Sequence, residues 1–143
     1  MIFVSSDHGG FGLKNKIISH LEYQGTSCKD LGPYELNPED DYPEFVKPLV
    51  DKVLIKPENR GILLCRNGVG MCMSANKFKG VRATLSWNTK HAASSRNDDN
   101  TNVLCIPVDY IFEEEAINTV DTWLNTQFSK EPRFARRLKK ANL

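Results

Sequence analysis

The sequence alternates, from end to end, between short runs typical of β-strands and longer stretches in which apolar residues recur with helical period. Five short runs have the composition of strands, at residues 2–6, 26–32, 61–65, 81–85 and 103–108. Helical patterns separate or follow them, near residues 11–24, 42–55, 70–78, 87–97 and 112–126. Strands that alternate with helices form a parallel sheet covered on both faces. The sequence therefore predicts an α/β fold built on a five-stranded parallel sheet.

Length and composition favour one globular domain over residues 1–143, since 40% of the residues are hydrophobic and 26% are charged. The net charge of +1 gives no general electrostatic reason to bind nucleic acid or an anionic membrane. No apolar run approaches the roughly 20 residues of a membrane span, and the first residues lack the parts of a secretion signal. The four cysteines form no CxxC pair. We therefore expect a cytoplasmic domain with reduced thiols.

The composition changes after Phe128, where the last 15 residues carry six Lys or Arg side chains. Pro132 can start a short helix there. Arg133 and Arg137 then lie four positions apart on one face of that helix. Taken alone, this basic C-terminal arm (about 129–143) is well explained as a solvated helix end.

Ligands of an open parallel sheet bind beyond the carboxyl ends of its strands. We expect three segments there: 7–10, 65–70 and the region near 96–102. In CRNGVGM, Gly68 and Gly70 allow the backbone amides to approach a ligand, and the following helix adds its positive end. Such a loop can hold a phosphate or a developing oxyanion. A tight strand-to-helix connection explains the glycines about equally well, and neither GxGxxG nor GK[ST] is present.

Cys65 ends the buried strand at the mouth of this loop, where the helix dipole and the backbone amides would favour its thiolate. A buried free cysteine is otherwise a small packing residue, which is the interpretation we adopt for Cys28, Cys72 and Cys105. Asp7 and His8 follow the first strand and suit sugar hydroxyls, phosphate or acid–base work. For that pair alone, a turn-capping aspartate beside a surface histidine is the simpler explanation. No spacing of histidines or carboxylates indicates a metal site.

Taken together, these residues resemble a known family, the type B ribose-5-phosphate isomerases and the related galactose-6-phosphate isomerase subunits. The resemblance covers almost the whole chain and is carried by SSDHGGFGLK, DLGPY, DDYPEF, GILLCRNGVGMCMSANKFKGVRA, SSRNDDNTNVL and PRFARR, in this order. It implies a Rossmann-like α/β/α sandwich that works as a homodimer or tetramer with shared active sites. It also implies aldose–ketose isomerisation of a sugar phosphate through a cis-enediolate, without metal or cofactor.

The resemblance implies a role for each matching position. Cys65 would be the general base that moves a proton between C2 and C1, and Asp7 would contact the hydroxyls near those carbons. An anion hole for the enediolate oxygen would come from the backbone around Asn67, Gly68, Val69 and Gly70. His8 would bind phosphate, with Arg133 and Arg137 reaching across from a partner subunit. Asp40 and Asp41 are explained as helix caps, and Tyr42 would face the cleft.

Four features depart from the family pattern. Arg66 and Asn67 stand where Gly and then Thr or Ser usually follow the base cysteine. We expect Asn67 to keep a catalytic role, since its amide can still donate and accept hydrogen bonds, and Arg66 to add charge among the residues that bind the substrate or its phosphate. Asp98 replaces a histidine that helps open the furanose ring, and a carboxylate is a poor acid at pH 7 unless its pKa is raised. Asp99 replaces a substrate-binding asparagine, and we expect it to bind the substrate as a hydrogen-bond acceptor, since an ionised carboxylate cannot donate. Asp109 replaces an arginine near the phosphate, which it would repel if it pointed inward.

These departures leave three hypotheses, in this order. The protein isomerises ribose 5-phosphate with a modified ring-opening step. It performs the same chemistry on another sugar phosphate, such as a hexose 6-phosphate or a tetrose phosphate. It is a non-catalytic subunit that binds a sugar phosphate.

Overall fold

The computed structural model describes residues 1–142, with five strands, six α-helices and two short 3₁₀ turns. The strands are β1 (Ile2–Ser6), β2 (Cys28–Asp30), β3 (Arg60–Cys65), β4 (Ala83–Leu85) and β5 (Val103–Pro107). The helices are α1 (Phe11–Tyr23), α2 (Pro43–Val53), α3 (Val69–Ala75), α4 (Thr89–Asp99), α5 (Glu113–Asn125) and α6 (Pro132–Lys140). The 3₁₀ turns are His8–Gly10 after β1 and Val108–Tyr110 after β5. Every strand and helix predicted from the alternating pattern is present, with slightly different bounds.

The strands form one sheet in the order β2-β1-β3-β5-β4, and every neighbouring pair is parallel. The predicted five-stranded parallel sheet is therefore confirmed. In this register Ser6 lies opposite Leu64, and Cys65 lies opposite Pro107. The segments that follow β1, β3 and β5 consequently begin side by side at the carboxyl edge of the sheet.

Two apolar cores fill the spaces between the sheet and its helices, because successive strand residues point to opposite faces. In β3, Ile62 and Leu64 belong to the core beneath α1, α4 and α5. Leu63 and Cys65 belong to the core beneath α2 and α3. This alternation buries the Cys65 side chain on the α2–α3 side, at the last position of the central strand.

The basic C-terminal arm forms the short helix predicted after Pro132, here α6. Phe134 is its buried anchor. The guanidinium groups of Arg133 and Arg137 lie over the Phe134 ring, 4.6 and 5.8 Å from its centroid. Helix α6 packs near α4, so the arm rests against its own chain at the end of α4.

The expectation that residues 96–102 lie at the carboxyl edge is wrong. They end α4 and precede β5, and the Asn102 carbonyl accepts a hydrogen bond from Gly61 N at 3.0 Å, near the start of β3. They therefore lie at the amino edge of the sheet. Arg96 is buried there and donates hydrogen bonds to the Thr101 carbonyl and to Asn100 Oδ1. Its role is to hold the turn between α4 and β5.

Candidate active site

Two loops meet at the carboxyl edge because β1 and β3 are neighbours in the sheet. The Asp7 amide donates to the Leu64 carbonyl at 3.2 Å, and Asp7 Oδ1 accepts a hydrogen bond from Gly10 N at 3.1 Å. Burial raises the pKa of Asp7, and this effect exceeds the lowering by the Gly10 amide and by charged His8. Asp7 is close enough to Cys65 for its charge to affect the titration of that thiol.

Cys65 is buried, with only 4% of the residue exposed. Burial raises the pKa of its thiol, while hydrogen bonding from three backbone amides lowers it, those of Met71, Gly68 and Asn67. Burial is the larger effect, so the expectation of a favoured thiolate is wrong. The contribution of Met71 was missed from the sequence. No residue type marks it, because it comes from a main-chain amide brought to the sulfur by the fold of the loop.

The loop after β3 needs glycine at positions 68 and 70 because a larger side chain at either position would collide with its neighbours. Gly68 adopts φ +73°, which L side chains rarely adopt, and a Cβ there would lie 3.2 Å from the Pro107 nitrogen and collide with Leu85. At Gly70, an added Cβ would lie 2.6 Å from Cζ of Tyr42. The Tyr42 ring therefore packs directly on the loop, just before α2 begins.

Asn67 organises the first turn of the loop. Its Oδ1 accepts a hydrogen bond from the Val69 amide at 3.0 Å. The Val69 amide, predicted as part of an anion hole, therefore already has a protein acceptor. Of the predicted amides, those of Asn67 and Gly68 are the ones that act on the Cys65 sulfur.

His8 is held by Asp40, which lies in the loop before α2. Asp40 Oδ1 accepts hydrogen bonds from the His8 amide at 3.0 Å and lies 2.7 Å from Nδ1 of its ring. This contact with Asp40 is the main reason that the pKa of His8 is raised. The prediction that Asp40 caps α2 is wrong, since the N-cap position is Tyr42 and no side chain makes a capping hydrogen bond there. Its pairing with His8, missed from the sequence, joins residues 32 positions apart.

Arg66 and Asp109, two of the unusual residues, contact each other. Arg66 Nε donates to Asp109 Oδ2 at 2.8 Å. The Asp109 carboxylate is therefore paired with a cation. The sequence suggested that an unpaired Asp109 carboxylate would repel phosphate. In the structure this carboxylate is instead paired with Arg66.

Four of the predicted site residues lie away from Cys65 in the fold: Asp98, Asp99, Arg133 and Arg137. Asp98 and Asp99 end α4, which runs about 16 Å from the carboxyl edge towards the amino edge. Asp98 Oδ1 accepts a hydrogen bond from Asn97 Nδ2 at 2.7 Å. Burial and the neighbouring Asp98 raise the pKa of Asp99, whereas Arg137 of α6 lowers it.

Asp99 also lines a cavity of about 480 Å³ between β4 and α4, together with Arg82, Thr84, His91, Ser94 and Thr101. A single chain consequently assembles two separate groups. One surrounds Cys65 at the carboxyl edge. The other, at the junction of α4 and α6, contains Asp98, Asp99, Arg133 and Arg137.

The part of the chain that the structure describes contains neither a metal-binding cluster nor a membrane-spanning helix. Between residues 1 and 142, no three or more His, Cys, Asp or Glu side chains are grouped so as to hold a metal ion. In the same range, no helix combines the length and the apolar character needed to cross a membrane.

Known proteins resemble this chain over nearly its full length. A "Probable ribose-5-phosphate isomerase B" of Mycoplasma pneumoniae is 46% identical over 127 residues, covering 89% of this chain and 84% of that protein. The ribose-5-phosphate isomerase B of Mycolicibacterium paratuberculosis is 35% identical over 137 residues, covering 96% and 86%.

Solved structures show the same fold. Ribose-5-phosphate isomerase B from Mycoplasma genitalium with bound ribulose-5-phosphate superposes with a TM-score of 0.94 at 42% identity, over 99% of this chain and 93% of that one. A ribose 5-phosphate isomerase from Thermotoga maritima has a TM-score of 0.93 at 37% identity, over 99% and 96%. The family model for Ribose/Galactose Isomerase matches residues 2–141. With the fold, the cysteine loop and these similarities in agreement, the chain belongs to the Ribose/Galactose Isomerase family.

Proposed function

We propose that this protein interconverts ribose 5-phosphate and ribulose 5-phosphate by proton transfer through a cis-enediolate. The observation that carries the proposal is the buried Cys65 thiol, which lies near Asp7 and within hydrogen-bonding reach of the loop amides. Removal of a proton next to a carbonyl needs a base and a donor for the oxyanion that forms. The ribulose-5-phosphate held by the Mycoplasma genitalium relative supports the same substrate here.

In this mechanism the Cys65 thiolate removes the proton from C2 of the open-chain aldose. The electron pair of the broken C–H bond forms the C1–C2 double bond, and the C1 carbonyl oxygen becomes the enediolate oxygen. Of the predicted anion-hole amides, that of Gly70 is left to stabilise that oxygen, because Val69 N donates to Asn67 Oδ1 and the amides of Asn67 and Gly68 act on the Cys65 sulfur. The Cys65 thiol then returns its proton to C1, while the proton of the C2 hydroxyl moves to the C1 oxygen, so that C1 carries a hydroxyl and C2 becomes the ketose carbonyl. Asp7 binds the hydroxyls on which this second proton moves. The overall oxidation level is unchanged, so no redox cofactor is needed.

The phosphate group would be bound by His8, which carries positive charge to a higher pH because Asp40 accepts its hydrogen bonds. Arg133 and Arg137 lie with α6, near the end of α4 and not beside Cys65. We therefore place them in the site of a second copy of the chain, in a homodimer with shared active sites. Arginine suits this role because its planar guanidinium group matches phosphate oxygens.

Asp98 would also act in the site of the second copy. A carboxylate accepts the anomeric hydroxyl proton of a ring-closed sugar but is a weak proton donor at neutral pH. Ring opening should therefore be the slow part of the reaction with ribose 5-phosphate. The four cysteines are free, as expected for an enzyme of the reducing cytoplasm, where we place it.

The test is isomerisation of ribose 5-phosphate, allose 6-phosphate, galactose 6-phosphate and erythrose 4-phosphate by the purified protein. We expect turnover of ribose 5-phosphate to exceed that of the others and to disappear in Cys65→Ala. The matched control is Cys28→Ala, on the edge strand β2, which should retain activity. Preference for another sugar would keep the cysteine chemistry and change the substrate. Binding without turnover of any sugar would indicate a non-catalytic subunit.

A further inference from the structure

Arg66 and Asp109 are connected by two hydrogen bonds, one between their side chains and one between their main chains. Besides the Nε to Oδ2 hydrogen bond at 2.8 Å, the Asp109 amide donates to the Arg66 carbonyl at 2.9 Å. The two residues follow β3 and β5, which are adjacent in the sheet. The pair is therefore fixed at the carboxyl edge, where the segments after these strands begin.

The backbone of Gly9 forms another wall for the Arg66 side chain. A Cβ on Gly9 would collide with Cγ of Arg66 and would lie 3.3 Å from its Cδ. The aliphatic part of Arg66 thus packs across the segment that carries Asp7 and His8. The charge of Arg66 is close enough to His8 to oppose its protonation. Arg66 therefore lies beside the histidine that we place against the phosphate.

The Arg66 guanidinium has capacity for a further partner. Asp109 accepts a hydrogen bond from Nε, and among residues 1–142 the terminal nitrogens Nη1 and Nη2 make no hydrogen bond. The side chain is 68% exposed. Terminal guanidinium nitrogens bind phosphate oxygens in parallel, which a lysine ammonium does not reproduce.

We propose that Arg66 binds the phosphate group of the substrate and that Asp109 is the positioning residue that orients its guanidinium group. This inference rests on the proposed function, because it takes a sugar phosphate as the ligand. Asp109 keeps Arg66 beside His8 by engaging Nε and leaves both terminal nitrogens for phosphate. Its own negative charge is compensated by the same contact. The two departures from the family pattern at positions 66 and 109 thus act together. The arginine that binds phosphate stands at position 66, on the cysteine loop, instead of at position 109.

The first experiment measures binding without turnover, so it does not depend on the isomerase activity. Calorimetry with inorganic phosphate and with ribose 5-phosphate would use Cys65→Ala as the background. Adding Arg66→Gly should weaken both ligands about tenfold, as expected for the loss of a charge-assisted contact. Arg66→Lys should restore only part of that loss. Unchanged phosphate affinity in Arg66→Gly would overturn the assignment, even if the protein is an active isomerase.

The second experiment tests whether Asp109 acts through Arg66. Asp109→Asn should weaken phosphate binding when Arg66 is present and have no further effect in Arg66→Gly, so the two losses should not add. In the active protein, Asp109→Asn should raise KM for ribose 5-phosphate with little change in kcat. Tighter phosphate binding in Asp109→Asn, or the same change in both backgrounds, would contradict the positioning role.

A matched control separates this pair from surface ion pairs in general. Lys47 and Asp51 form an exposed pair on α2 with a distance of 2.6 Å. Asp51→Asn should leave phosphate binding and KM unchanged. Thermal unfolding of every variant would establish that each is folded. If Arg66→Gly does not fold, the phosphate affinity of Arg66→Lys tests the proposal in its place.

Discussion

Asp40 Oδ1 accepts a hydrogen bond from the His8 backbone amide at 3.0 Å and lies 2.7 Å from Nδ1 of the same residue. The Asp40 side chain is only 5% exposed, whereas 31% of the His8 side chain is exposed, so the contact is shielded from water on the Asp40 side and His8 remains open to a ligand. With Nδ1 engaged, Nε2 is the ring nitrogen left to bind a ligand. The sequence separates these residues by the whole of α1 and β2, and the fold brings them together beside Asp7.

As the pH rises, substrate binding should begin to weaken at a lower pH in Asp40→Asn than in the wild-type protein. Asp40 raises the pKa of His8, so the imidazolium persists as the pH increases until that raised pKa is passed. Without the carboxylate the pKa of His8 falls, and the charge that binds phosphate is lost earlier. KM for ribose 5-phosphate, measured between about pH 5 and 9, should therefore begin to rise at lower pH in the variant.

Asp121→Asn is the matched control, because His20 Nε2 lies 2.8 Å from Asp121 Oδ2 in a similar pair between α1 and α5. That variant should leave the pH dependence of KM unchanged. Superimposable profiles for Asp40→Asn and the wild-type protein would show that Asp40 does not control the charge of His8.

The activity of Cys65 should increase with pH. Burial raises the pKa of its thiol, and the nearby charge of Asp7 raises it further. The thiolate that acts as base is therefore a minor species at neutral pH and accumulates as the pH approaches the raised pKa. Alkylation of Cys65 by iodoacetamide, followed by mass spectrometry, would report the thiolate without requiring turnover.

Asp7→Asn should shift the Cys65 alkylation profile to lower pH, since it removes a like charge next to the thiolate. Assignment of the profile is checked in Cys65→Ala, where alkylation at that position is absent. An alkylation rate that is already at its plateau at neutral pH would mean that the loop amides outweigh burial.

Gly68→Ala should destabilise the protein. Its φ of +73° costs a non-glycine residue roughly 1–2 kcal/mol, and the added Cβ would also crowd the Pro107 nitrogen at 3.2 Å. Urea unfolding should show a free energy of unfolding lower by about 2 kcal/mol or more. Gly12→Ala in α1 is the control, because nothing lies within 4 Å of its added Cβ. It should be neutral or stabilising by up to about 1 kcal/mol, and equal effects at both positions would refute the steric argument.

A shared active site predicts complementation between two variants, one inactive because it lacks the base and one impaired in phosphate binding. Cys65→Ala and Arg137→Ala would be coexpressed with different affinity tags and the mixed dimer isolated. If Arg137 acts in the site of the partner subunit, one site of the mixed dimer carries both changes and the other carries neither. The mixed dimer should then recover about half of the wild-type activity. Were Arg137 to act in its own chain, each site would retain one defect and no activity would return.

The order of strands and helices was predictable because it depends on local signals. Apolar periodicity marked β1, β3 and β5, and Pro132 marked the start of α6. The loops that carry Cys65 and Asp7 were predictable for a related reason. Both segments immediately follow buried strands, and parallel strands end at a common edge.

Pairings between distant residues depended on the tertiary structure. Side-chain partners such as His8 with Asp40, and Arg66 with Asp109, are set by which loops the strand order β2-β1-β3-β5-β4 brings together. The prediction for the segment 96–102 is wrong because the edge at which it lies depends on the direction in which α4 crosses the sheet.

The direction in which the pKa of Cys65 shifts could likewise not be predicted from the sequence. It depends on how far burial outweighs hydrogen bonding from the loop amides, including that of Met71. The amino-acid sequence by itself therefore determined the elements, their order and the chemistry available on each loop, because these follow from local periodicity and turn preferences. Only the tertiary structure decided which groups meet and which charges they carry, because contacts and desolvation arise when distant segments pack together.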